Sequence, residues 1–259
     1  MLDAMPIWLV FPLVVAMIAL SIEFGYRIAR VRARKSEKER DAPIDSMVGP
    51  TLGLLAFMLA FTFGMAYSRH DTRKQFVVDE ANAIRTADLR AQLLVEPQGS
   101  AIRKLLREYV DVRLNGVLHP SEFAHAVKRS EQIHAMLWLQ VASLAPAATD
   151  RAAIAAALVD IINLHTKRLN AVLHNRISGA VWLALYSLAV LAMGMLGYSA
   201  GMSGRRTGVA TLILALAFSS VLVLITDLDR PRQGLVEVSQ GTMMDLQSKL
   251  QGSTSVKVP

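Results

Sequence analysis

Four apolar stretches divide this chain of 259 residues. They lie at 4–22, 46–68, 177–204 and 207–226, and the second and third contain no charged side chain. A helix needs ~20 apolar residues to cross the hydrocarbon core of a bilayer. The pattern therefore predicts an integral membrane protein with four transmembrane helices.

The stretch between the second and third apolar segments is charged, and its apolar positions recur at helical spacing. Val77, Ala81 and Ile84 form one such series, and the region contains no strand pattern of any length. We therefore expect an all-α protein in which a helical-bundle domain is inserted between the second and third transmembrane helices.

The expected domain organisation follows from these boundaries. It comprises 1–68 (two transmembrane helices with a basic loop at 27–46), 69–176 (the helical domain), 177–227 (two more transmembrane helices) and 228–259 (a C-terminal tail). Neither proline nor glycine occurs between Gly64 and Pro97, or between Asp150 and Gly179. Because these residues are the usual helix breakers, the domain is predicted to be continuous with transmembrane helices two and three.

The amino-acid composition excludes some kinds of chemistry and indicates which partner the protein binds. The chain is 53% apolar, contains 28 lysines and arginines, and has no cysteine, which excludes disulfides and thiol catalysis. Its basic residues concentrate where apolar segments end, so the isoelectric point of about 9.9 indicates contact with anionic lipid headgroups rather than nucleic acid. The predicted partner is the lipid bilayer.

Charge also predicts an orientation in a bacterial inner membrane. The two short loops at 27–46 and 201–206 carry nine lysines and arginines, whereas the short N-terminus carries none. Short basic loops stay in the cytoplasm. This rule places the helical domain outside the cytoplasm.

No pattern predicts catalysis, a metal site or a cofactor. Glu122/His125 and Glu131/His134 have the spacing of carboxylate-bridged metal sites, but both pairs lie on one predicted helix. Nine residues separate the pairs, which puts them on opposite faces. We interpret these side chains as solvated polar residues and expect the protein not to be an enzyme.

The second transmembrane helix carries a stripe of small and aromatic residues that includes Gly53, Phe57 and Phe61. One interpretation is helix packing, because small residues let helices approach closely. The other is an oligomer in which the stripe faces a central axis and the phenylalanine rings form a hydrophobic constriction.

Several segments resemble a known family. They are Phe57-Met-Leu-Ala-Phe61, Val78-Asp-Glu-Ala-Asn-Ala83, the Leu-Arg-Glu-Tyr-Val-Asp-Val-Arg run that ends at Arg113, and Asp227-Leu-Asp-Arg-Pro231 followed by Gly234. They are similar to the bestrophin anion channels and, more closely, to their bacterial bestrophin-like relatives of unknown function.

This resemblance implies a pentamer around a pore for small anions. Phe57 and Phe61 would form the constriction, and Gly53 stands where a larger apolar residue is expected. In bestrophins the helical domain is cytoplasmic, opposite to the orientation that the charge count predicts. Two hypotheses follow: a homo-oligomeric anion channel, or a non-conducting sensor or interaction protein whose helical domain binds a ligand or partner.

The topology predicts a cluster of charged residues at one membrane face. The second transmembrane helix ends near residue 69, the third begins near 176 and the fourth ends near 227, so these three ends share one side of the bilayer. The residues expected to pair there are Arg69, Arg73, Arg176, Asp227, Asp229 and Arg230.

Overall fold

A computed structural model of the protein describes residues 5–34, 44–144, 149–204, 208–231 and 234–252. Within these ranges all regular structure is helical, which confirms the all-α class. The chain divides into two compact units. The membrane unit comprises Met1–His70 and Arg176–Glu237, and the domain unit comprises Asp71–Asn175 and Val238–Pro259.

Among the described residues, four helices are long and apolar enough to span a bilayer, as predicted. They are α1 (Ile7–Ala33), α2 (Ile44–Ala91), α6 (Gly179–Met202) and α7 (Gly208–Asp229). Helix α1 extends well past its apolar segment and has Arg30 and Arg32 in its last turn, where positive charge is favourable. The rest of the basic loops, 35–43 and 205–207, lies outside the described residues.

Glycines bring α1 and α6 into backbone contact. A Cβ atom placed on Gly25 would lie 1.9 Å from the carbonyl oxygen of Gly194, and one on Gly197 would lie 1.9 Å from the carbonyl oxygen of Ile22. Small residues allow helices to pack this closely where lipid offers no hydrophobic driving force. These contacts fix the pairing of the two helices.

The domain unit is built around one apolar core. Its helices are α3 (Gln98–Leu118), α4 (Phe123–Ala142), α5 (Thr149–Leu173), α8 (Gly241–Gly252) and the C-terminal part of α2. Tyr109, Ile133 and Ile161 are fully buried in this core, and each such side chain contributes ~1.5–3 kcal/mol through burial.

Two features differ from the predicted organisation. Within the segment predicted as a tail, α8 adds Met243, Leu246 and Leu250 to the core of the domain unit. In addition, the expected continuity between the domain and the third transmembrane helix is not observed, because 174–178 is not helical.

The interruption between α5 and α6 has a local and a distant cause. The side chain of Ser178 accepts a hydrogen bond from the backbone N–H of Ala180 at 3.4 Å, which caps the start of α6. The backbone N–H of Ile177 donates to Asp229 at 3.0 Å. A helix running through this point would need that N–H for its own ladder.

Candidate functional site

The phenylalanine stripe of α2 is largely exposed among the residues that the structure describes. Phe57 and Phe61 are 66% and 59% exposed. Beyond the adjacent residues and backbone of α2 itself, a Cβ atom on Gly53 or Gly64 would meet no atom of the described residues within 4 Å. We call the surface formed by Gly53, Phe57, Phe61 and Gly64 the phenylalanine face.

The opposite face of α2 makes the contacts within the chain. Leu55, Leu59, Thr62 and Ala66 are buried there. Packing within the chain therefore does not account for the small residues of the phenylalanine face, at least among the described residues. Close packing of helices within the chain instead involves the glycines of α1 and α6.

Asp229 accounts for one predicted ion pair at the membrane boundary. Its Oδ1 atom lies 3.9 Å from Nη1 of Arg69 and accepts a hydrogen bond from the backbone N–H of Ile177 at 3.0 Å. Asp229 thereby connects the end of α7 to α2 and to the segment before α6. Pairing of Asp229 with Arg69 is one of the contacts that the topology predicts.

Asp227 has a different role from the predicted ion pairing. It is 2% exposed and accepts hydrogen bonds from the backbone N–H groups of Leu235 at 2.9 Å and Val236 at 2.9 Å. A Cβ atom on Gly234 would lie 2.3 Å from its Oδ1, so a larger residue at 234 would displace this carboxylate. Asp227 fixes the path of the chain after α7.

The remaining members of the predicted charge cluster are Arg230, Arg176 and Arg73. Arg230 donates a hydrogen bond from Nη1 to the carbonyl oxygen of Met5 at 2.8 Å. Arg176 is half-buried in the membrane unit, while Arg73 is buried and belongs to the domain unit. The full six-residue cluster stays a prediction beyond the pair of Arg69 and Asp229.

A second polar site lies inside the domain unit. We call it the Glu80 cluster, and its members are Glu80, Tyr109, Arg113, His134, His165 and Arg168. All six are buried, and Glu80 is fully enclosed. The hydroxyl of Tyr109 donates to Oε1 of Glu80 at 2.5 Å, Arg168 pairs with Oε2, and Nε of Arg113 lies 3.4 Å from Oε1. Ion pairs with two guanidinium groups favour the ionised carboxylate.

The two histidines of the cluster lie against each other and against Tyr109. The ring centroids of His134 and His165 are 5.0 Å apart with the rings perpendicular, and the His134 ring lies 4.9 Å from that of Tyr109. Nδ1 of His165 is 3.3 Å from the Tyr109 oxygen. Because the only hydroxyl proton of Tyr109 is donated to Glu80, Nδ1 of His165 must be the donor in this contact.

Burial makes both histidines weak bases. Desolvation lowers the pKa of His134 to about 4, with a further contribution from Arg113 and an opposing one from Glu80. Desolvation, Arg113 and the neighbouring His134 lower the pKa of His165 to about 4. At neutral pH both rings are therefore uncharged.

The described histidines are not part of a group that could hold a metal ion. Among the residues that the structure describes, no group of three or more histidine, cysteine, aspartate or glutamate side chains could hold an ion. His125 is exposed as expected. The interpretation of His134 as a solvated side chain is wrong, because His134 is only 8% exposed.

The Glu80 cluster was missed in the sequence, although its positions follow the apolar periodicity. His165 continues the series of Ile154, Leu158 and Ile161 at alternating three- and four-residue steps, and His134 falls four residues after the buried Ser130. A polar residue on the apolar side of a helix is the signal of a buried network. Periodicity alone does not identify its partners on other helices.

Comparison with known proteins agrees with the motifs. The model of the Bestrophin-like domain matches residues 15–243. No curated protein matches the sequence.

Solved structures share the fold. A bacterial bestrophin homologue from Klebsiella pneumoniae superposes in one mutant form with a TM-score of 0.71 at 14% sequence identity, covering 92% of this chain and 99% of the homologue. A second mutant form gives a TM-score of 0.68 at 14% identity, with 94% and 99% coverage. A mutant of a membrane protein gives 0.69 at 14% identity, with 95% and 98% coverage.

Proposed function

The chain belongs to the bestrophin-like family, and from that premise we propose that it is a homo-oligomeric ion channel. In this proposal copies of α2 surround a central path, and Phe57 and Phe61 form its hydrophobic constriction. Small anions are the permeating ions implied by the family. The four membrane-spanning helices make the protein a multi-pass membrane protein in any case.

The observation that carries the proposal is the exposed phenylalanine face. Phe57 and Phe61 are both more than half exposed, whereas the opposite face of the same helix is buried within the chain. The open space beside Gly53 and Gly64 leaves room for neighbouring copies or for an ion path. Rings of apolar side chains can gate ion flow by dewetting.

Reconstitution into planar bilayers tests the proposal. Wild-type protein should conduct, and Phe57→Ala and Phe61→Ala should each raise the open conductance because a smaller side chain widens and wets the constriction. Leu183→Ala is the matched control, since Leu183 is 72% exposed on α6 and its truncation should leave conductance unchanged. Absence of current from wild type and both phenylalanine variants would contradict the channel.

A reconstituted protein that carries no current would favour the alternative function. In that alternative the helical domain is the binding part of a membrane sensor or interaction protein. Native mass spectrometry in detergent supplies an independent measurement, because the channel requires a closed ring of copies and the family implies five. A monomer in mild detergent and in the membrane would contradict the channel but not the alternative.

The side of the membrane on which the helical domain lies is a separate part of the proposal. The basic short loops at 27–46 and 201–206 support an inner-membrane protein with its helical domain outside the cytoplasm. Alkaline phosphatase fused after Gly99 should then be active, because the enzyme folds only in an oxidising compartment. An inactive fusion, with an active fusion in the basic loop, would instead give the orientation of bestrophins.

A further inference from the structure

We propose that the Glu80 cluster is an acid-operated latch: uncharged His134 and His165 keep α4 and α5 packed against α2 and α3, and protonation of these rings releases them. The latch is a regulatory property of the domain unit and does not depend on ion conduction.

The latch joins four helices through side chains at a single point. Glu80 lies on α2, Tyr109 and Arg113 on α3, His134 on α4, and His165 and Arg168 on α5. The contact of Tyr109 with Glu80 and of Arg168 with Glu80 crosses from one helix to another in each case. Loss of this buried network would weaken the packing of all four helices together.

Among the described residues, the cluster supplies no hydrogen-bond acceptor for the N–H group that protonation of a histidine would create. Nε2 of His134 and Nε2 of His165 are both buried, and neither has a hydrogen-bond partner among the described residues. Since Nδ1 of His165 already donates to Tyr109, an added proton would occupy its Nε2 atom. A buried donor without an acceptor is destabilising.

The surrounding charge also opposes protonation of His165, whereas at His134 the favourable effect of Glu80 exceeds the unfavourable effect of Arg113 and opposes only the desolvation. The charged groups that act on the rings are Arg113 from α3, Arg168 from α5 and Glu80 from α2. Glu80 is the single carboxylate among them, and Tyr109 and Arg168 already occupy its two oxygen atoms. An imidazolium ion would therefore become a third buried cation beside one carboxylate, which the fold does not neutralise.

The sign of the pH effect follows from linkage. An unfolded or opened histidine has an ordinary pKa of ~6.5, whereas burial lowers the pKa of both rings to about 4. The opened state thus binds more protons between these values, so the latch is fully closed above the ordinary pKa and weakens as the pH falls towards 4. With the domain outside the cytoplasm, the latch would respond to external acid.

Hydrogen–deuterium exchange of the full-length protein in lipid nanodiscs tests the latch. Protection factors are compared at pH 7 and pH 4.5 after correction for the pH dependence of intrinsic exchange. In the wild type, the protection factors of the backbone amides of α4 and α5 should be at least tenfold lower at pH 4.5. The double variant His134→Gln/His165→Asn cannot be protonated there, and Asn keeps a donor towards Tyr109. It should retain its protection at pH 4.5, whereas the exposed-residue control His125→Gln should behave as wild type.

Equal loss of protection in the wild type and the double variant, or no loss in the wild type, would overturn the latch. Should the double variant fail to fold at pH 7, the wild type alone decides. Exchange of the imidazole C2 hydrogens then measures the titration of each ring by mass spectrometry. His134 and His165 should titrate at least one pH unit below the ordinary histidine value of ~6.5, and titration of both rings at the ordinary value would overturn the proposal.

Discussion

Glycine has two opposite roles in the membrane helices of this protein. Gly25 and Gly197 permit backbone contact between α1 and α6, whereas Gly53 faces open space on α2. Both kinds of glycine occur in the apolar segments of helices that are long enough to span a membrane. Whether a larger side chain is tolerated at a glycine position therefore depends on the helix that packs against it, and not on the local sequence.

A matched pair of substitutions should separate these roles. Gly197→Ala should lower the melting temperature in detergent strongly, because its Cβ atom would lie 1.9 Å from the Ile22 carbonyl oxygen. Overpacking costs ~1–3 kcal/mol, and more where a backbone must move. Gly53→Ala should leave the melting temperature unchanged or raise it slightly, since alanine favours helix formation. Equal effects of the two substitutions would contradict the packing.

The two aspartates after α7 should behave differently in double-mutant cycles with Arg69. Asp229→Ala removes the ion pair with Arg69 at 3.9 Å and leaves the Ile177 N–H without its acceptor, at a cost of ~1–3 kcal/mol. Arg69→Ala should therefore be non-additive with Asp229→Ala. It should be additive with Asp227→Ala, because Asp227 accepts from Leu235 and Val236. Thermal unfolding in one detergent provides the comparison, and additivity with both aspartates would show that the pair contributes nothing.

Helix α2 runs without interruption from Ile44 to Ala91. Its apolar part has an exposed side, the phenylalanine face, and an opposite side that is buried within the chain. The absence of proline and glycine after Gly64 predicted this continuity. The break before α6 was not predictable in the same way. The break depends on the hydrogen bond from the backbone N–H of Ile177 to the side chain of Asp229, and these two residues are distant in sequence.

Asp71 follows the apolar part of α2 and falls on the same side of this helix as the phenylalanine face. Asp71 is fourteen positions after Phe57, about 40° away around a helix of ~3.6 residues per turn, and it is exposed. An acidic side chain on an ion path repels anions. We therefore expect Asp71→Asn to increase chloride current in planar bilayers at low ionic strength, and to increase it less in high salt.

The control for this prediction is Asp150→Asn, which changes an exposed carboxylate at the start of α5. It should leave the current unchanged. If Asp71→Asn and Asp150→Asn have the same effect, or if chloride current falls in Asp71→Asn, the assignment of this face to an anion path is wrong.

For the whole molecule, hydropathy was sufficient to predict the membrane part, because a bilayer imposes one length and one composition on every spanning helix. The motifs around Phe57, Arg113 and Asp227 were sufficient to predict the family that the Bestrophin-like match shows. The buried Glu80 cluster required the structure, since its contacts span 29 residues between Glu80 and Tyr109 and 88 between Glu80 and Arg168. Helical periodicity carries no information on such distant partners.

The central claim is that the phenylalanine face lines an ion path formed by several copies. Since the chain has no cysteine, single-cysteine variants at Phe61 and at the exposed Leu183 of α6 allow a clean test. A charged, water-soluble methanethiosulfonate reagent added to open channels should block the current of Phe61→Cys within seconds and leave Leu183→Cys unaffected. Equal sensitivity of the two variants, or unmodified current in Phe61→Cys, would show that this face does not contact the conducted ions.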